Sequence, residues 1–204
     1  MVYAFIDAVN LFYGGEKSLG WKIDYQKLLV YLKNKFSVSR AYYYAGVDIG
    51  DYKGKDKEIN LNGVMEHFRR KLRTGHLKEI ARLELEKYIQ RIKFYNKLDS
   101  FGFRLRLKPT KIFHNGKSTV KKANCDVDLT FDLMRYMSQY SEAVMLSGDG
   151  DFAPVLEYLK GKRKKVHILA RSERTAREIR LLAGDKFMDF KYLREQLKIR
   201  KAPM

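Results

Sequence analysis

Hydrophobic positions along the chain alternate between the two-residue rhythm of strands and the 3.6-residue rhythm of helices. Residues 2–6 form a short apolar run rich in β-formers and ended by Asp7, which predicts a buried strand. Asp24 stands where it can cap a helix running to Phe36, with Leu28, Leu29 and Leu32 at helical spacing. The stretch 40–46, holding three consecutive tyrosines, predicts the next strand, and strand, helix, strand opens a parallel sheet. From about residue 55 to 99 the pattern is long, charged and helical, broken near Thr74 and Gly75, which predicts two helices forming an arm or cap. Residues 101–107 alternate apolar and basic side chains as a strand does, and 114–116 predict a turn on the way to Lys122. A helix over 126–140, a strand over 143–146 and a helix over 152–159 follow. A strand over 166–169, a helix near 175–182 and a last element over 187–197 complete the pattern. This alternation predicts an α/β fold, a doubly wound, mainly parallel sheet with helices on both faces and a helical insertion. The expected organisation is a single domain over 1–197, a basic helical insertion at about 55–99, and a frayed basic tail over 198–204.

In an open parallel sheet, ligands bind where the strands end at their carboxyl edge. Asp7 follows the first strand there, and Ser147, Gly148, Asp149, Gly150 and Asp151 occupy the equivalent place after the strand over 143–146. Asp126, opening the helix before that strand, completes a group of acids aimed at one crevice. Four carboxylates within about 5 Å repel by about 3 kcal/mol per ionised pair at an effective dielectric near 20, and a divalent cation is the natural compensation. Magnesium and manganese favour oxygen ligands, activate water and neutralise charge developing on a phosphate. Aspartate is also common in turns and at helix N-caps, and Asp151 directly precedes a helix with Pro154 tolerated in its first turn, so each acid taken singly suits a structural role. Asp128 and Asp132 share a helix face, whereas Asp126 and Asp128 point roughly 200° apart. Asp126 is therefore preferred, with Asp128 and Asp132 left as supporting or solvated acids.

Charge then narrows the partner. The 204 residues hold 42 Lys and Arg against 24 Asp and Glu, a net charge of +18, which favours polyanions and above all nucleic acid. Seven of those cations, Arg104, Arg106, Lys108, Lys111, Lys117, Lys121 and Lys122, fall between Ser100 and Cys125 with no acid among them. They lead directly to Asp126, as a basic loop should if it draws a phosphate backbone toward carboxylates; a solvated basic loop is the alternative. The cluster Lys160, Lys162, Arg163, Lys164 and Lys165 connects a helix to a strand and so falls at the opposite edge, while Arg69, Arg70, Lys71 and Arg73 lie on the insertion. His67, His76, His114 and His167 lack ligand spacing, and Tyr42, Tyr43 and Tyr44 offer stacking faces, of which at least one should turn to the core. The sole cysteine, Cys125, excludes an internal disulfide framework. With neither a signal-peptide pattern nor an apolar run of membrane-spanning length, the expectation is a cytoplasmic protein with no membrane partner.

The blocks Phe5-Ile6-Asp7-Ala8-Val9-Asn10-Leu11, Asp126-Val127-Asp128-Leu129 and Ser147-Gly148-Asp149-Gly150-Asp151-Phe152, in this order, resemble the NYN domain family, the LabA-like branch of PIN-type nucleases. The resemblance implies a PIN-like sheet between helices and metal-dependent endoribonuclease activity. By position, Asp7, Asp126, Asp149 and Asp151 look like the acids that bind Mg²⁺ or Mn²⁺, and Asn10 and Ser147 like polar groups that orient an acid or a water. The preference for RNA over DNA comes from this resemblance alone. Ala8 and Val9 replace the Gly and Ser frequent in the family, and Asn124 and Cys125 replace Gly and Val, but no carboxylate is lost.

Two other classes stay open. A noncatalytic RNA-binding or scaffold module would keep the fold and bind RNA without cutting it. A phosphatase of the haloacid dehalogenase type would need a second aspartate two residues after Asp7, where this chain has Val9. The helical insertion could equally form a homodimer surface.

Overall fold

The computed structural model describes residues 1–54, 58–115 and 118–199, with the side chains of 112–122 left aside. Six strands, β1 (Val2–Asp7), β2 (Val38–Val47), β3 (Arg104–Pro109), β6 (Glu142–Leu146), β7 (Lys165–Ala170) and β8 (Phe187–Asp189), form one sheet in the order β3-β2-β1-β6-β7-β8. Every pairing in it is parallel. The remaining strands, β4 (Lys111–Asn115) and β5 (Ser118–Lys122), make a separate antiparallel hairpin. From β1 the chain builds outward through β2 and β3, then returns to lay β6 on the other side of β1. The β1–β6 junction is thus the point where the strand order reverses, and a crevice opens there at the carboxyl edge.

Alternate side chains along each strand enter two cores. On one face Ala4, Ile6, Tyr43 and Leu146 pack with α2 (Tyr25–Phe36) and α4 (Glu79–Phe101). On the other, Tyr3, Phe5, Tyr42, Tyr44 and Met145 pack with α5 (Asp126–Arg135), α6 (Ala153–Gly161) and α7 (Arg177–Ala183). The sheet is covered on both sides, so its strands read as nearly continuous apolar runs. All three tyrosines of β2 are buried, and none offers a free stacking face.

The insertion differs from the arm or cap expected. Its helices are α3 (Leu61–Thr74) and α4, and Val64, Phe68, Ile89, Ile92, Tyr95 and Leu98 belong to the same core as β2. Sequence periodicity shows that a helix has an apolar face and not what covers it. Helix α4 also runs further than expected, through Phe101, until Gly102 at φ 102° ends it, which moves the start of β3 to Arg104. Helix α5 stops at Arg135 rather than reaching 140; Tyr140 turns inward and donates its hydroxyl to the Leu133 carbonyl. Between α1 (Ala8–Asn10) and α2, residues Leu11–Lys17 form a π-helical turn that no pattern predicted. At the C-terminus, Lys198 bridges to Ile23 and the Ile199 N–H donates to the Lys22 carbonyl, so the tail is anchored that far; residues 200–204 lie outside the described ones. Among the described residues no helix is long and apolar enough to cross a membrane.

Ile92 is fully buried between the insertion and the sheet. Ile92→Ala is expected to lower unfolding stability by about 2–5 kcal/mol, read as a lower urea midpoint in a single transition. A separate early transition for the insertion would contradict its place in the shared core.

Candidate active site

A cleft of about 780 Å³ opens at the β1–β6 junction, and Asp7, Asn10, Asp126, Asp149 and Asp151 all line it. They arrive from three stretches of chain far apart in sequence. Asp7 ends β1 and caps α1, its Oδ1 accepting from the Val9 and Asn10 N–H groups at 3.0 and 3.1 Å. Its Oδ2 accepts from the Ser147 hydroxyl at 3.1 Å, across the strand junction. Ser147 is 1% exposed, and its oxygen in turn accepts the Asp149 N–H at 3.3 Å. Asn10 reaches over from α1, its Oδ1 accepting the Gly148 N–H at 3.1 Å. Ser147 and Asn10 therefore clasp the loop after β6 to the end of β1.

That loop begins a 3₁₀ turn, Gly150–Phe152, which Asp149 caps by accepting the Asp151 N–H at 3.0 Å. Asp151 itself is exposed. The capping role open to these aspartates is thus realised, and it is compatible with a second role: a carboxylate that caps through one oxygen keeps the other. Asp126 opens α5 among the helix's unsatisfied N–H groups, where the dipole favours negative charge. Its own N–H donates to the Asn124 side chain at 2.8 Å.

Two glycines allow the close approaches that assemble the walls. A Cβ on Gly148 would meet Thr175 Oγ1 at 2.5 Å and its Cα at 2.9 Å, and one on Gly46 would meet the Ala123 Cβ at 2.7 Å. The first contact brings the loop after β7 against the β6 loop; the second lays the approach to α5 across the end of β2. Glu173, Arg174 and Thr175 consequently line the cleft as well. These three residues are not among the candidates drawn from the sequence, though their polar loop follows β7 at the same carboxyl edge. Val9 also lines the cleft, where the dehalogenase-type phosphatases would need an acid.

Asp7 is almost wholly withdrawn from water, and its carboxyl is raised from the ordinary 3.8 chiefly by that desolvation. The Asn10 and Val9 N–H groups and Ser147 oppose the rise, while the negative charge of Asp126 adds to it. Cys125 beside them is pushed up to about 11, first by burial and then by Asp128, so its thiol stays protonated at neutral pH and is no nucleophile. Among the described residues no three acidic, imidazole or thiol groups converge as a ready set of ligands. The acidic groups lining the cleft, Asp7, Asp126, Asp149 and Asp151, offer carboxylate oxygens, the ligand chemistry Mg²⁺ and Mn²⁺ prefer.

The basic run divides. Arg106 donates from Nε to the buried Asp132 at 2.9 Å and from Nη2 to Tyr136 at 3.1 Å, while Tyr44 donates to the same Asp132 oxygen at 3.0 Å. Lys108 donates to Asp128 at 2.6 Å. These two cations tie α5 to β3 and hold Asp126 at its place over the cleft. Arg104 and Lys111 are exposed, with the Arg104 guanidinium over the Tyr42 ring. Lys117 lies outside the described residues, and Lys121 and Lys122 are described in backbone only. The cluster from Lys160 to Lys165 sits at the amino end of β7, across the sheet from the acids, with Lys165 paired to Glu142. On α3, Arg69 and Arg73 pair with Glu66, and Lys71 with Asp51.

Comparison with known proteins bears on this geometry. The NYN domain matches residues 1–197. The chain is 28% identical over 205 residues to the Low amplitude and bright protein LabA of Synechococcus elongatus, covering 98% of this chain and 88% of that protein. Its fold is similar to the crystal structure of a protein of unknown function from Vibrio parahaemolyticus, with a TM-score of 0.60 and 18% identity over 97% of this chain and 96% of the other. A looser likeness, with a TM-score of 0.47 and 12% identity over 89% of this chain and 59% of the other, is to the T5 D15 protein co-crystallized with metal ions.

Two outcomes follow from these interactions. A carboxyl whose folded pKa is raised contributes stability that is full below its unfolded pKa and is lost as pH rises through the folded value. In EDTA, wild type should therefore lose thermal stability relative to Asp7→Asn as pH rises above the ordinary carboxylate range of about 4, and a stability gap independent of pH would contradict this. Arg106→Ala strands the buried Asp132 carboxylate and should cost about 3 kcal/mol in denaturant unfolding; a variant as stable as wild type would return Arg106 to the pool of phosphate-binding cations.

Proposed function

This chain belongs to the NYN domain family, the LabA-like branch of PIN-type nucleases, and from that premise we propose that it is an endoribonuclease that hydrolyses RNA phosphodiester bonds with Mg²⁺ or Mn²⁺. The observation that carries this reading is the meeting of Asp7, Asp126, Asp149 and Asp151, from three separate stretches of chain, along one cleft of a protein with net charge +18. In this reading Asp7, Asp126 and Asp149 hold the ion, with the exposed Asp151 joining at the rim. An ion held by these acids would supply Lewis acidity to a water and to the charge that grows on the phosphate.

The chain's own residues do the positioning. Ser147 fixes Asp7 Oδ2 and orients the Asp149 backbone, and Asn10 holds the loop between them. The Arg106–Asp132 and Lys108–Asp128 pairs keep the start of α5, and so Asp126, over the cleft. Arg174 on the cleft wall, together with Lys111 just past the carboxyl end of β3, draws the RNA backbone toward carboxylates that would otherwise repel it, while Arg104 stands at the amino end of β3. A cytoplasmic setting goes with this reading, since Cys125 is a free thiol.

A second reading is a noncatalytic RNA-binding module, and it is favoured by the lack, among the described residues, of a converged ligand triad. Labelled single-stranded RNA, hairpin RNA and single-stranded DNA, incubated with Mg²⁺, Mn²⁺ or EDTA, separate the two. The nuclease reading expects metal-dependent cutting of RNA that Asp149→Asn abolishes and that Ser147→Ala slows by about 10- to 100-fold, with RNA binding retained in both. Intact binding with no cutting of any substrate in either metal would favour the noncatalytic module, and equal cutting by Asp149→Asn would remove that acid from the site.

A further inference from the structure

Beside the acidic cleft runs a second trough, between the π-helical turn and α4, and the two share Val9, Tyr13 and Ala123 on their common rim. Its walls are of two chemistries. On the π-helical side stand Phe12 and Tyr13, 42% and 48% exposed, their rings edge to face with centroids 5.2 Å apart. On the α4 side stand Lys87, Tyr88 and Arg91, with the two cations four residues apart and therefore on one helical face. Asp48, accepting from the Thr110 hydroxyl at 2.6 Å, puts one carboxylate on the trough floor, while the α4 wall carries two cations.

Folding accounts for neither wall in full: Lys17 stands over the Tyr13 ring at 5.2 Å and Arg91 acts on the partly buried Glu16, while Phe12 and Lys87 stay exposed. Two adjacent aromatic rings left in water forgo the burial that drives aromatic side chains into cores, although the sheet beside them buries every tyrosine of β2. The π-helical geometry that projects them is uncommon and concentrates at functional sites. Aromatic rings facing a row of cations, in a groove continuous with a phosphate-handling cleft, match what an unpaired polynucleotide needs. Its bases stack on any π-face, and its backbone follows the positive wall. A duplex would not fit this chemistry, because its π-faces are already stacked within the helix.

We propose that this trough binds the single-stranded segment of nucleic acid next to the phosphate held in the acidic cleft. Bases stack on Phe12 and Tyr13, and the backbone runs past Lys87 and Arg91. The inference rests on the nucleic-acid reading of that cleft and deepens it: the substrate is unpaired on this side of the cut, and the helical insertion supplies one wall of its path.

The test uses the full chain in EDTA, so that binding is read apart from cutting. Fluorescence anisotropy follows a labelled 12-nucleotide oligouridine and a 12-base-pair RNA duplex across a salt series. Phe12 and Lys87 are exposed, so Phe12→Ala and Lys87→Ala should leave thermal unfolding unchanged. Phe12→Ala should weaken oligouridine binding about tenfold with the salt slope unaltered, and leave duplex binding as it was. Lys87→Ala should instead reduce the slope of log Kd against log salt by about 0.7. Wild-type affinity and slope in both variants would overturn the trough, as would failure of the wild type to bind oligouridine or an equal effect of Phe12→Ala on the duplex. Metal-dependent cutting of the same oligomer, with its loss in Asp149→Asn, judges the nuclease reading separately, so one can fail while the other stands.

Discussion

A carboxylate taken out of water must recover from the protein the hydration it has lost, and Asp7 does so through two backbone N–H groups and the Ser147 hydroxyl. The compensation is incomplete, since burial and the field of Asp126 still hold its proton more tightly than water would. Much of the local architecture serves this one group. The chain turns into α1 directly after β1 because Asp7 caps it. The β6 loop is drawn in because Ser147 and Asn10 clasp it, and Gly148 is bare of a side chain because Thr175 lies against it. The field of Asp126 on Asp7 at a strand-order reversal is the repulsion that the proposed cation would relieve.

The distribution of positive charge follows from the same constraint. The net charge of +18 enlarges the protein's attraction for polyanions, but two cations of the basic run are paired within the fold. Arg106 and Lys108 neutralise Asp132 and Asp128 on the helix that carries Asp126. A buried Asp132 without that guanidinium would be an unpaired charge in a core of tyrosines, so these bonds fix the pitch and position of α5. The site is thus built from acids that line the cleft, Asp7, Asp126, Asp149 and Asp151, and from acids that hold α5 in place, Asp128 and Asp132.

The insertion belongs to this design rather than standing apart from it. Its apolar face completes the core on the α2 side of the sheet, and its polar face turns Lys87 and Arg91 toward the trough beside the cleft. One helix therefore serves stability through Ile89, Ile92, Tyr95 and Leu98 and shapes the surface through the residues between them. The π-helical turn opposite does the converse, exposing apolar rings where a regular α-helical turn would space its side chains differently.

How much of this was legible depends on the range over which each feature is decided. Strand and helix periods are local, so the sequence by itself determined the α/β alternation, the doubly wound sheet, and the placing of Asp7, Asp126 and the Asp149–Asp151 pair at strand ends and a helix start. Their arrival along one cleft follows from parallel topology, which that alternation already implies. What only the tertiary structure decided was every property set by partners distant in sequence. Arg106 meets Asp132 26 positions away, Ser147 meets Asp7 140 positions away, and the loop from Glu173 to Thr175 closes on Gly148 from another strand. The burial of the insertion and the π-helical turn are of the same kind. An amphipathic pattern states that a face must be covered, and a basic run states that charge is present; which neighbour covers the face or neutralises the charge is settled only when the chain has packed.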